Sequence, residues 1–289
     1  MKPAAAARRP RLRPWAGALL ASVVCGCAAP EPPLPHKALI DGAAVDAAVG
    51  DEIALNGRAD CLAAPQQPWF AVEEGHVAIL VTAPHVTRPL REGAYRFADG
   101  GGTGALARAL HRLSGVWAVY TVDASPSDPN FYDDNDFKRT LDRLIGEKRP
   151  VLLLDIHASS SHRPYDVDLG TMDGASLLGQ PRLLPELVAA LRAEGIGNLS
   201  LDYFSAAKEQ TITKFAAARG VPAIQLEINS TWLQPSAGDL AAHRFAQLLQ
   251  ALVRYVDERQ PGSPGERNVA AAGSASLDAF ACATRLPLR

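Results

Sequence analysis

His85, His157 and Glu227 are three ionisable side chains, each set at or just past the end of a separate β-branched apolar run. His85 stands three residues beyond the run 77–82, in Ala-Pro-His, where Pro84 cannot continue a central ladder and the chain must leave a sheet. His157 ends the run 151–156 in Leu-Leu-Asp-Ile-His, and Glu227 closes the run 221–228 in Gln-Leu-Glu-Ile-Asn. No cysteine cluster has metal-ligand spacing, so a metal site in this chain has to be built from histidine and carboxylate. Asp155 shares a strand face with His157 by the two-residue period. It is either the carboxylate that orients a ligating imidazole or a buried hydrogen-bonding group. Asp99 falls just before a helix expected to start near Thr103. There it can complete a two-histidine, one-carboxylate zinc shell with one position left for water. Glu92 is the rival third ligand, and a turn or capping role is the other reading of Asp99, although Thr103 is itself a good helix cap.

These residues need a scaffold that brings strand ends together. The runs 77–82, 116–122, 151–156 and 221–228 are short, β-branched and bounded by turn residues, which predicts buried strands. Helical spacing appears in Leu106, Ala109, Leu110 and Leu113, in Phe137, Leu141 and Leu144, in Leu184, Leu187 and Leu191, and in Phe245, Leu248, Leu252 and Val256. Strand and helix signals in alternation imply an α/β protein, a mostly parallel or mixed sheet covered by helices on both faces, with ligands bound at the carboxyl ends of the strands.

Several other chemistries are disfavoured, serine hydrolysis remaining as a rival. The 29 basic and 31 acidic residues nearly cancel, leaving no basic field for a nucleic-acid backbone or an anionic membrane. Gly100-Gly101-Gly102 follows no strand run and precedes no Gly-Lys-Ser/Thr, so it is not a phosphate loop. Ser159-Ser160-Ser161-His162 lacks the Gly-x-Ser-x-Gly elbow of a serine nucleophile.

Residues 1–27 differ in composition from the rest. Arg8, Arg9, Arg11 and Arg13 precede an apolar stretch, 15–24, shorter than the about 20 residues that a membrane span needs, which reads as a signal peptide. Val24-Cys25-Gly26-Cys27 resembles a bacterial lipoprotein box, so Cys27 is expected to carry a lipid anchor, the chain's only membrane attachment; a plain cleaved signal is the other reading. Residues 28–38, with four prolines, form an expected tether, 39–258 the folded domain, and 259–289 a flexible tail. With Cys25 removed and Cys27 acylated, Cys61 and Cys282 remain, and since an exported compartment permits disulfides they are expected to pair; two unrelated buried thiols are the other reading.

The order Ala83-Pro-His85, Ala98-Asp99 before a helix, Leu-Leu-Asp155-Ile-His157, Asp168-Leu-Gly170-Thr171 and Gln225-Leu-Glu227-Ile-Asn229 resembles that of the N-formylglutamate amidohydrolase family. The resemblance covers residues 77–256. It implies a three-layer α/β/α sandwich of the zinc carboxypeptidase type, with His85, Asp99 and His157 as zinc ligands and Glu227 as general base. The reaction implied is water attack on the amide of an N-acyl, possibly N-formyl, amino acid or small peptide. A substrate that carries carboxylates needs a fixed cation, and Arg91, in the loop after His85, is the first candidate, with Arg88, Arg96 and Arg163 competing. A cell-envelope peptidase or amidase, or an exported binding or structural module on the same fold, are the alternative readings.

Overall fold

The computed structural model describes residues 38–259, 276–277, 280 and 282–287. The expected signal segment with Cys27, the tether apart from residue 38, and residues 260–275 of the expected tail lie outside the described residues. In chain order, α1 (Gly42–Asn56), β1 (Cys61–Ala63) and β2 (Phe70–Glu73) lead to β3 (Val77–Ala83). The hairpin of β4 (Leu90–Arg91) and β5 (Ala94–Tyr95) precedes α2 (Gly101–Ser114) and β6 (Val116–Thr121). Then come α3 (Asp136–Lys148), β7 (Leu152–Ser159), β8 (Val167–Gly170), α4 (Leu183–Ala193), β9 (Leu199–Leu201), α5 (Ile212–Ala217), β10 (Ala223–Asn229), α6 (Asp239–Asp257) and β11 (Cys282–Arg285).

The main sheet has the order β2-β6-β3-β7-β10-β8-β9. Its centre, β6-β3-β7-β10, is parallel, while β2 and β8 run antiparallel to their inner neighbours, so the sheet is mixed. Alternate residues supply two cores. Val81, Leu154, Ile156 and Leu226 face Leu55, Leu106, Leu187 and Leu252 of α1, α2, α4 and α6. Leu80, Leu153 and Ala223 face Phe137 and Leu141 of α3 and Ile212 and Phe215 of α5. The architecture is therefore a three-layer α/β/α sandwich. The two-residue period that sends Leu153 to the α3/α5 side sends Asp155 and His157 there as well.

Strand ends differ from expectation where pairing decides them. β7 continues through Ala158 and Ser159 because β10 pairs with it as far as Asn229, so His157 lies inside a strand. The expected cap Thr103 sits within α2 and bonds back to the Gly100 carbonyl at 2.8 Å. The cap of α2 comes from another helix: Asn56 Oδ1, in the last turn of α1, accepts from Gly101 N at 2.7 Å. The Gly100–Gly102 run has a packing reason, since a Cβ on Gly102 would stand 1.6 Å from the Leu233 carbonyl oxygen. Arg108 of α2, 5% exposed, joins these layers through Asp51 of α1 at 2.9 Å and Glu73 of β2 at 3.1 Å.

The end of the chain departs from a plain flexible tail. β11 pairs antiparallel with β1, and Cys61 and Cys282 form a disulfide with Cα atoms 5.2 Å apart. Among the described residues, no helix is long and apolar enough to cross a membrane.

Candidate active site

The site forms at the carboxyl ends of β3, β7 and β10 on the α3/α5 face. Parallel pairing sets Glu227 beside His157 and Gln225 beside Asp155, and Thr82 lies beside Asp155 on the other side. His85 comes from the turn after β3, and Asp99 from the residue pair before α2. Their segments are joined directly by Asp99 N donating to the His85 carbonyl at 2.7 Å.

Both histidines turn Nδ1 toward one carboxylate oxygen. Asp99 Oδ2 lies 3.1 Å from His157 Nδ1 and 3.7 Å from His85 Nδ1, and candidate ligand atoms of the three residues lie within 4.8 Å of one another. The outer nitrogens face buried carboxylates. His85 Nε2 is 2.8 Å from Asp128 Oδ1, and His157 Nε2 is 3.3 Å from Asp155 Oδ2. The second contact lacks the alignment of a hydrogen bond, yet Asp155 is fixed at its other oxygen by Thr82 Oγ1 at 2.7 Å. Such outer partners set tautomer and ring direction, leaving Nδ1 as the free donor atom.

Arg91 does not stand free for substrate. Its Nε and Nη2 donate to Asp128 Oδ2 at 2.8 and 2.7 Å, which builds a chain Arg91–Asp128–His85. The expectation of a free substrate clamp is corrected: the β4–β5 hairpin, turning on Glu92 and Gly93 with positive φ, aims this guanidinium back at the loop after β6. The same turn puts Glu92 outward, where it pairs with Arg96 at 2.9 Å and is 61% exposed, so Glu92 is not a ligand here. Asp128 is the functional residue that the sequence reading missed. The strand-end rule applied to β6 points into the segment that holds it, but Asp123, Asp128, Asp133, Asp134 and Asp136 crowd there with no period to single one out.

Electrostatics follow from this crowding. Burial works against the charge on His157, but Asp155 and Asp99 outweigh it and raise its pKa well above the ordinary value. Burial likewise opposes ionisation of Asp128, and His85 with Arg91 overrides it, holding that carboxyl far below its usual range. Glu227 goes the other way. Its burial, only partly offset by His157, pushes its pKa up to about 7, and Gln225 Nε2 donates to its Oε1 at 2.9 Å. Four carboxyl groups, Asp99, Asp128, Asp155 and Glu227, thus surround two imidazoles, with Arg91 as the added cation. The donor set and this negative excess fit a divalent cation at His85, Asp99 and His157.

The fold and the site together define a class: an α/β/α protein with a two-histidine, one-carboxylate centre and a high-pKa glutamate at the sheet's carboxyl edge. Three comparisons with known proteins bear on it. No family model matches the chain, and no curated protein matches it. Among solved structures the chain is similar to N-formylglutamate amidohydrolase from Ralstonia eutropha, with 17% identity, 65% of this chain and 98% of that one covered, and a TM-score of 0.45. It is also similar to a bacteriophage poly-gamma-glutamate hydrolase (16% identity, 65% and 86% covered, TM-score 0.43). A metallo-carboxypeptidase from Burkholderia cenocepacia matches at 12% identity, with 67% and 66% covered and a TM-score of 0.41. At such scores the names carry no argument about what this chain does.

Proposed function

We propose that this chain is a zinc-dependent amide hydrolase acting on N-acyl amino acids or small peptides. The observation that carries the proposal is the convergence of His85 Nδ1 and His157 Nδ1 on Asp99, each ring backed by a buried carboxylate. When bound there, a zinc ion supplies Lewis acidity toward the scissile carbonyl and the attacking water. Glu227, whose burial raises its proton affinity, takes a proton from that water as the new C–O bond forms. It returns the proton to the amide nitrogen as the C–N bond breaks, so the products are a carboxylic acid and an amine. Thr82 fixes the Asp155 carboxylate beside His157, and Gln225 holds the Glu227 carboxyl in place. An N-formyl group is the acyl group implied by the resemblance of the motifs.

The test is metal analysis together with a hydrolysis screen over formyl, acetyl and dipeptide substrates, on wild type and Glu227→Gln. One zinc per chain in both proteins, with chelator-sensitive turnover in the wild type and a loss of at least about 100-fold in the variant, is expected. Full turnover by metal-free protein sinks the reading. The proposal includes export and a lipid on Cys27, supported by the Cys61–Cys282 disulfide, which suits an oxidising compartment. Labelling with radioactive palmitate should disappear in Cys27→Ser, and equal labelling of both proteins rejects the anchor.

A further inference from the structure

Lys138 is fully buried, yet it takes no part in the chemistry described above. It projects from the first turn of α3 into the core on the α3/α5 side, where its Nζ lies 4.5 Å from the Phe215 ring centroid. An ammonium is costly to bury unless it is paired and hydrogen-bonded. Burial pulls the Lys138 pKa below the ordinary 10.5, against the opposing pull of Asp133 and Asp155. Its two acceptors belong to different segments: Asp133 Oδ1, in the loop after β6, at 2.9 Å, and the Gln210 carbonyl oxygen, just before α5, at 2.7 Å. An apolar side chain of similar volume would fill the same space without that cost, so what the charge contributes is the joint between the two segments.

Asn130 makes a second joint between the same two segments. Its Oδ1 accepts from Ile212 N, the first amide of α5, at 2.8 Å, and its own N–H donates to Asp128 Oδ1 at 2.8 Å. That oxygen is the one that meets His85 Nε2. The segment before α5 is also closed on itself. Thr211, the N-cap of α5, accepts from Lys214 N at 3.1 Å and donates to the Ala206 carbonyl at 2.6 Å. At its other end the segment is fastened to the sheet: Met172 N donates to the Ser205 carbonyl at 2.7 Å, and a Cβ on Gly170 would stand 3.2 Å from Gln225 Cβ and 3.5 Å from Ala206 Cβ. Gln225 is the residue that holds the Glu227 carboxyl. Residues 205–212 therefore run from the strands around Glu227 to the loop that carries Asp128, a brace between the base and the His85 half of the site.

We propose that Lys138 and Asn130 are positioning residues that lock this brace to the Asp128 loop, so that His85 is presented to a metal ion in one orientation. This rests on the metal centre of the hydrolase reading and extends it to residues that touch neither metal nor substrate. The test is zinc affinity of the full-length protein by competition with a chelator, together with amide hydrogen exchange of the metal-free protein by NMR. Lys138→Met, which keeps the volume and removes the ammonium, should lower zinc affinity by about 10-fold. It should also speed exchange of the Asn130 and Ile212 amides by about 10-fold, while core amides such as that of Leu154 keep wild-type rates. Asn130→Ala, which leaves the backbone donor to Asp128 in place, should speed exchange at Ile212 and lower zinc affinity likewise, and covers the case of a lysine variant that does not fold. Lys148→Met, at the other end of α3, should change neither reading. In Asp128→Asn protein, Lys138→Met should lower zinc affinity little further, because the carboxylate it positions is already lost. Full additivity of those two substitutions, or wild-type affinity and exchange in Lys138→Met and Asn130→Ala, overturns the proposal. Failure of the hydrolase reading is seen separately: wild type that binds no zinc, while either variant still speeds exchange at Ile212, removes the zinc and leaves the brace standing.

Discussion

The reactive centre depends on residues that touch no substrate. Asp128 hydrogen-bonds His85 and is itself held by Arg91, while Asp155 faces His157 Nε2 as a buried charge at 3.3 Å. Loss of such an outer carboxylate weakens metal binding by about 10–100-fold in known sites. Asp128→Asn should fall in that range when zinc affinity is read by competition with a chelator, with the melting temperature of the metal-free protein little changed. Glu227 makes a prediction in pH. Its carboxyl ionises near 4.5 in an unfolded chain and at about 7 in the metal-free fold, so the folded form binds more protons between those values. Stability of metal-free protein should therefore fall as pH rises from 4.5 to 7 and level off above, by about 3 kcal/mol. Glu227→Gln should flatten that fall, as read by urea melts at several pH values; an unchanged slope contradicts the raised pKa. His85, His157 and Glu227 were legible in the sequence because each follows or ends an apolar run, a pattern strand periodicity exposes, and Asp99 was legible only as a carboxylate just ahead of a helix. Asp128 and the engagement of Arg91 were not, since both depend on which way a two-residue hairpin turns a side chain.

At the scale of elements, Asp99, the proposed third ligand, is positioned by a contact between helices. Asp99 stands at the entry to α2, whose first amide is capped by Asn56 from α1 and whose Gly102 admits the Leu233 carbonyl. Asn56→Ala should cost about 1 kcal/mol, the usual worth of a helix cap, and lower zinc affinity through Asp99. Gly102→Ala should cost more, because the clash is with backbone and no rotamer relieves it. A thermal melt ranks the two, and Gly102→Ala melting at or above Asn56→Ala contradicts this packing. The alternation of strands and helices was plain from periodicity, and the layering followed from it. The antiparallel β8, the brace before α5 and the cap in trans had no local signal, because each is a long-range pairing.

For the whole molecule, the disulfide joins the β11 strand to β1 across a separation of 221 residues, near the loops that carry His85 and Asp123. Closing so long a loop constrains the unfolded chain, and Cys282→Ser should lower stability by about 2–5 kcal/mol, a drop in melting temperature on the order of 10 °C. An equal melting temperature with and without reductant contradicts that role. A zinc centre at the edge of the mixed sheet would show directly in an anomalous difference map at the zinc absorption edge on crystals of the full-length protein. One strong peak is expected in contact with His85 Nδ1, His157 Nδ1 and Asp99, absent from His157→Ala crystals. A peak elsewhere, or none at that position in zinc-soaked wild type, contradicts it.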